Sequence, residues 1–182
     1  MSDDQNDNCL TSDELATVTR DAIVGTVEGD VKRAHAALDT LFDRGCLGEL
    51  IRFTAACLGL AMADASTSTC EHGTTYGFMH PGFAVYPGGE VVLLSGQPPN
   101  ETQRNIGLLV SALGDKDQPT EHVAVEIAAV FRNLNDRLEK DPTDFLLGDV
   151  VSSALQLAAI TYKVRQLTAQ SALLRAMGST LS

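Results

Sequence analysis

The stretch LGELIRFTAACLGLAMA, residues 47–63, holds only two charges, Glu49 and Arg52, and is apolar around its circumference. A helix without a polar face is one that neighbours cover on every side, so this segment reads as the central helix of a bundle. Ala55, Ala56, Gly59 and Ala63 keep its surface shallow and let those neighbours approach closely. Its uncharged run from Phe53 to Ala63 is 11 residues, well short of the about 20 needed to cross a bilayer.

Working toward the N-terminus, the signals are helical and well punctuated. Thr11-Ser12-Asp13-Glu14 is a capping box, in which the Thr hydroxyl accepts from the third amide and Glu14 reaches back. Leu10 and Leu15 flank it as a hydrophobic staple. The first helix is expected to run to about Val27, with Gly29 taking the left-handed stop conformation. Asp30 then caps a second helix with Val31, Ala34, Leu38, Leu41 and Phe42 on one face, closed by Gly45.

Beyond residue 63 the pattern changes. Glycines at 73, 77, 82, 88, 89 and 96 and prolines at 81, 87, 98 and 99 break any helical period. Phe83–Tyr86 and Val91–Leu94 flank a Gly-Gly turn and read as a β-hairpin, to which Thr74–Met79 can add a third strand. Helical signals resume at the capping box Asn100-Glu101-Thr102-Gln103, leading into Ile106, Leu109, Val110 and Leu113. A further helix carries Val123, Ile127, Val130, Phe131, Leu134 and Leu138 on one stripe. Asp141-Pro142 is expected to cap a last helix from Thr143 to Met177.

In that last helix a heptad frame places Leu146, Val150, Ser153, Leu157, Ile160, Val164, Leu167, Ser171 and Leu174 at the a and d positions. Seven of these nine are apolar, which is coiled-coil-like spacing. Val150, Leu157, Ile160, Val164, Leu167 and Leu174 are therefore the expected oligomer interface. The expected fold is mainly α, a helical bundle of about six helices with a small β-hairpin inserted between the third and fourth. Residues 1–10 read as a disordered acidic N-terminus, and 11–182 as one helical domain with its β insert at about 70–97. No fixed period of identity relates the two helical parts, so a solenoid is not supported.

Composition agrees with this reading and limits function. Of the 182 residues 44% are hydrophobic and only 5% aromatic, with no Trp, which suits helix packing through small side chains. The formal net charge of −11 argues against direct nucleic-acid or anionic-membrane binding. The charge is uneven: residues 1–30 hold eight acids and one base, whereas beyond Asp149 there are no acids. The simplest reading is two solvated faces of opposite sign. The sharper alternative lays the acidic N-terminal region against the last helix. The polar, acidic start lacks the basic and then apolar pattern of a signal peptide. A cytoplasmic location is expected, and with it free thiols at Cys9, Cys46, Cys57 and Cys70.

Three groups of residues carry the candidate chemistry. Cys70, His72 and His80 lie in a Gly-rich segment and are ligand types suited to zinc, although the spacing matches no standard template and a fourth ligand is not evident. The same Cys70 with a histidine is a nucleophile–base candidate, disfavoured by Glu71, which opposes the thiolate. His35 with Asp39, and Glu121 with His122, are most simply solvent-facing. Tyr76, Phe78, Phe83 and Tyr86 place four of the nine aromatics in eleven residues, and aromatic rings are favoured binding anchors. Their competing role is to seat the hairpin on the helices. The chain lacks HExxH, the Walker loop, G-x-G-x-x-G, G-x-S-x-G and the paired Glu-x-x-His of di-iron bundles.

The leading functional expectation is a non-enzymatic interaction or regulatory protein that forms a homo-oligomer and binds a protein partner. No cofactor is expected for this reading; the alternatives are a small enzyme using the Cys70–His80 loop, dependent either on a metal, with zinc as the candidate, or on a thiol, and an acidic decoy of a nucleic-acid-binding protein.

Overall fold

The computed structural model describes residues 9–63, 69–70, 73–74, 78–80, 83–86, 88–93, 95–114 and 118–179, with backbone only for those between 69 and 83 and from 173 onward. Six helices and a small β insert between the third and fourth make the mainly α bundle that the patterning predicts.

Helix α1 spans Ser12–Glu28 and begins as its sequence dictates. The Glu14 amide donates to Thr11 Oγ1 at 3.3 Å, and the Thr11 amide donates to Glu14 Oε2 at 2.8 Å. Leu10 and Leu15 are both buried. Helix α2, Val31–Arg44, is capped by Asp30 through the Arg33 amide at 3.1 Å. Its buried stripe is Ala34, Ala37 and Leu41. Val31 and Phe42, expected on the inner face, are exposed. The small Ala34 and Ala37 set the contact, so the inward stripe is rotated away from the bulkier residues.

Helix α3, Leu47–Met62, buries Phe53, Cys57 and Leu58 wholly, but it is not covered on every side: Ala56, Gly59 and Ala63, expected to meet close neighbours, are exposed on one face. Its main partner is the inner part of helix α6, which runs Leu146–Ser179. There Val150, Val151, Ala154 and Ala158 are equally buried, and the alanines allow the close axial approach. Helix α4, Glu101–Gly114, is capped reciprocally by Asn100 and Gln103 at 2.8 and 2.9 Å. Helix α5, Thr120–Lys140, buries Ile127, Phe131 and Leu134 and half-buries Val123, Val130 and Leu138, the predicted stripe. Helix α6 touches α1, α3, α4 and α5 and so organises the bundle.

One helix start differs from expectation. Asp141 does not cap α6; its Oδ1 accepts from Thr143 N at 3.0 Å and Thr143 Oγ1 at 2.7 Å, forming a turn. Asp144 accepts from the Leu146 amide at 3.0 Å, and α6 begins there. The chain must reverse between α5 and α6, and the Asp141 turn accomplishes the reversal before the helix can start.

Among the described residues, the insert forms two antiparallel sheets. Strands β1 (Thr69–Cys70) and β2 (Gly73–Thr74) form one. Strands β3 (Phe78–His80), β4 (Phe83–Val85) and β5 (Val91–Leu93) form the other in sequential order, with Val85 opposite Val91 and Phe83 opposite Leu93. The expected hairpin is thus present as β4–β5; its third strand, β3, starts at Phe78, later than the expected Thr74–Met79, and Thr74 lies on β2 in the other sheet. Gly88 and Gly89 turn the chain with φ of 90° and 84°. The turn lies directly on α4 at Gly107, where a Cβ would stand 2.5 Å from the Gly89 carbonyl oxygen and 2.4 Å from Val91 Cγ2. The Gly88 amide donates to Ser111 Oγ at 3.1 Å. Val85 and Val91 enter the core from this hairpin.

Ion pairs join neighbouring elements at the surface. Arg33 reaches Asp21 at 2.7 Å and Glu28 at 3.5 Å, and Arg44 reaches Glu14 at 3.0 Å. Acids of α1 are therefore matched by arginines of α2, while α1 also packs against the last helix, α6. Arg137 bridges Glu101 and Asp144, the latter at 2.8 Å, linking the start of α4, the end of α5 and the entry to α6.

Gly107→Ala is expected to lower stability by about 1–3 kcal/mol, because its methyl has no space against the hairpin turn. Urea denaturation measures this, and unchanged stability would show that the hairpin is not held there.

Acid sensitivity follows from the carboxylates. Hydrogen bonds from the Thr11 amide and hydroxyl hold Glu14 below its ordinary value of 4.5. Arg33 holds Asp21, and the Leu146 amide followed by Arg137 holds Asp144, below the ordinary 3.8. Each folded value is depressed, so the stabilisation is fully present above the unfolded values and is lost as pH falls through the folded ones. Urea midpoints should fall progressively below about pH 5, and a flat profile down to pH 3 (roughly a unit below the ordinary Asp value) would contradict these assignments.

Candidate interaction surfaces and thiol sites

The heptad stripe of α6 divides into two parts. Leu146, Val150 and Leu157 are buried within the chain's own core. Ile160, Val164 and Leu167 continue the stripe, and they are 41%, 55% and 55% exposed. From Ile160 to Ala172 no residue is buried. The cause is length. At about 1.5 Å per residue, the 34 residues of α6 extend roughly 50 Å, about twice the reach of the 16-residue α3 that covers its inner part. Val150 and Leu157, expected at an oligomer interface, are thus already covered inside one chain. Ile160, Val164 and Leu167 remain open on one helix face, and the Leu174 side chain lies outside the described residues.

A second surface lies beside the hairpin. A cleft of about 390 Å³ opens between the β4–β5 turn, α4 and α5. Gly88, Leu108, Ala112, Ala129 and Val130 line it, with Ser111, Gln118 and Glu126 as polar groups. Gly107 makes it possible by admitting the turn onto α4, which leaves Leu108 as one wall. Leu108 is 48% exposed. Of the four expected anchoring rings, Tyr86 is exposed at the start of the β4–β5 turn. Phe78 and Phe83 are placed on β3 and β4 by backbone alone, and Tyr76 lies outside the described residues.

The cysteines depart from expectation. Cys9 and Cys46, read as free thiols, form a disulfide with Cα atoms 5.6 Å apart. Burial of Leu10 and the Thr11 box fold the N-terminal segment against the corner between α2 and α3, and the Glu14–Arg44 ion pair fixes it there. That tertiary placement brings together two cysteines separated by 37 positions. Cys57 is the free thiol expected of it, and burial pushes it up to about 12. At neutral pH it is protonated and inert.

Glu49 adjoins the disulfide. It is buried, and its Oε2 accepts from the Cys46 amide at 2.9 Å. Ligand atoms of Cys9, Cys46 and Glu49 all lie within 4.8 Å of one another. The sequence alone does not bring this group together. The Cys46-x-x-Glu49 spacing at a helix start was legible as a capping box, but the approach of Cys9 depends on the fold. Among the zinc candidates read from sequence, His72 lies outside the described residues, as do the side chains of Cys70 and His80. His35, Asp39, Glu121 and His122 are exposed, as expected.

No protein-family model, curated protein or solved structure matches the chain. Among the described residues no helix is long and apolar enough to cross a membrane.

Tyr86→Ala should change stability by about 0.5 kcal/mol or less, since an exposed ring contributes little to packing. Urea denaturation tests this; a loss of several kcal/mol would make Tyr86 a seating residue for the hairpin.

Proposed function

We propose that this chain is a non-enzymatic interaction protein that self-associates through the outer half of α6 and presents the hairpin cleft to a protein partner. The observation that carries this reading is the open stripe Ile160, Val164 and Leu167, spaced four and three residues apart on a helix that extends past its neighbours. Large apolar side chains grouped on an unpartnered helical face favour burial against another helix, at about 25 cal/mol for each Å² removed from water. The same spacing in a second copy supplies the complementary knobs and holes, so a dimer pairing α6 with α6 satisfies both chains at once.

The cleft suits a partner's apolar side chain. Its walls are mainly aliphatic and include the exposed Leu108. Ser111 is already engaged by the hairpin amide, and Glu126 supplies a negative group at the site. A partner segment joining an aliphatic anchor to a basic residue fits this chemistry.

Light scattering at micromolar concentration should give a dimer. Val164→Asp should yield a monomer with unchanged circular dichroism, because the site is 55% exposed within one chain while an unpaired charge is costly in an apolar seam. Val150→Asp, by contrast, should unfold the chain. A monomeric wild type at every concentration would overturn self-association.

A further inference from the structure

We propose that the reduced pair Cys9 and Cys46, with the carboxylate of Glu49, is a thiolate site for a divalent zinc-type cation, which the disulfide closes. Two sets of contacts hold the sulfurs together. On one side, Leu10 is buried, and the Thr11–Glu14 box and the Glu14–Arg44 ion pair fix the segment behind Cys9. On the other, Cys46 opens α3, with its amide bonded to Glu49 Oε2 at 2.9 Å. None of these contacts depends on the sulfur–sulfur bond, so reduction leaves both thiols in place.

Glu49 is the independent observation. A buried carboxylate stands beside the sulfurs, with the three ligand atoms inside a 4.8 Å span. Its second oxygen makes only a long approach to Arg52, at 3.9 Å. A tetrahedral zinc ion has sulfur at about 2.3 Å and carboxylate oxygen at about 2.0–2.2 Å, which places its sulfurs roughly 3.8 Å apart. Cleaving the disulfide lets the sulfurs separate to that distance. Two thiolates and a carboxylate carry three negative charges, and a divalent cation leaves one, facing the positive end of α3. Cys46 is exposed, so ions and small redox molecules can reach the site.

The chemistry balances. A thiol reductant supplies two electrons, and two protons complete the Cys9 and Cys46 thiols. Binding the cation releases those two protons. In reverse, a small-molecule disulfide takes two electrons from the bound dithiolate and, with two protons, becomes two thiols. The Cys9–Cys46 bond re-forms and the cation leaves.

The test uses the full chain, reduced and held without oxygen, with Co²⁺ as the probe. The expected result is one Co²⁺ per chain, with a sulfur-to-metal charge-transfer band in the near ultraviolet. The oxidised chain should show none, and a small-molecule disulfide should abolish the band. Cys9→Ser and Cys46→Ser should lose it, while Cys70→Ser should keep it. Glu49→Gln preserves the cap through its amide oxygen and should weaken binding by about tenfold or more. A reduced wild type without the band overturns the proposal, as does a band that persists in Cys9→Ser. Undiminished affinity in Glu49→Gln overturns the three-ligand set.

Discussion

The contact between α3 and the inner half of α6 is the constraint on which the rest of the molecule depends. Both helices bring small side chains to the seam, with Ala154 and Ala158 on α6 and Ala61 on α3 all buried. Around that seam Phe53, Leu58, Val150 and Val151 fill the space without leaving accessible surface. Because α6 also touches α1, α4 and α5, its position sets theirs. The bundle is therefore arranged around two poorly amphipathic helices. The amphipathic α2 and α5 lie outside, each with a polar face for water.

That arrangement also limits what the protein presents. Covering α6 requires helices as long as it is, and α3 is about half its length. The same apolar spacing thus serves as core in one half and as open surface in the other. Nothing in the local chemistry of Val164 distinguishes it from Val150; the difference is whether another helix lies opposite. The hairpin obeys a similar logic. Its turn meets α4 only because Gly107 lacks a side chain, and this contact creates one wall of the cleft.

The α1–α2–α3 corner shows how several modest interactions cooperate. The buried leucine contributes about 1.5–3 kcal/mol, and a capping box, an ion pair and a second cap add to it. Together they place Cys9 against Cys46 and Glu49. Surface pairs such as Arg33–Asp21 hold adjacent helices in register, and the acidity of α1 is offset locally by α2.

By itself the sequence determined the helices, the caps at Thr11, Asp30 and Asn100, and the hairpin. These depend on residues near one another in the chain: Thr11 with Glu14, Asn100 with Gln103, Gly88-Gly89 between two apolar runs. The buried stripe of α5 was legible for the same reason, since a period of 3.6 marks a face without naming what covers it. Only the tertiary structure decided which apolar faces found partners. Val31 and Phe42 ended exposed, the α6 stripe divided at Ile160, and Asp141 served a chain reversal in place of a cap. Only tertiary structure, too, joined Cys9 to Cys46 across 37 positions. Patterning records which side chains avoid water, but contact between distant segments is settled by helix lengths and packing angles, which no local spacing contains.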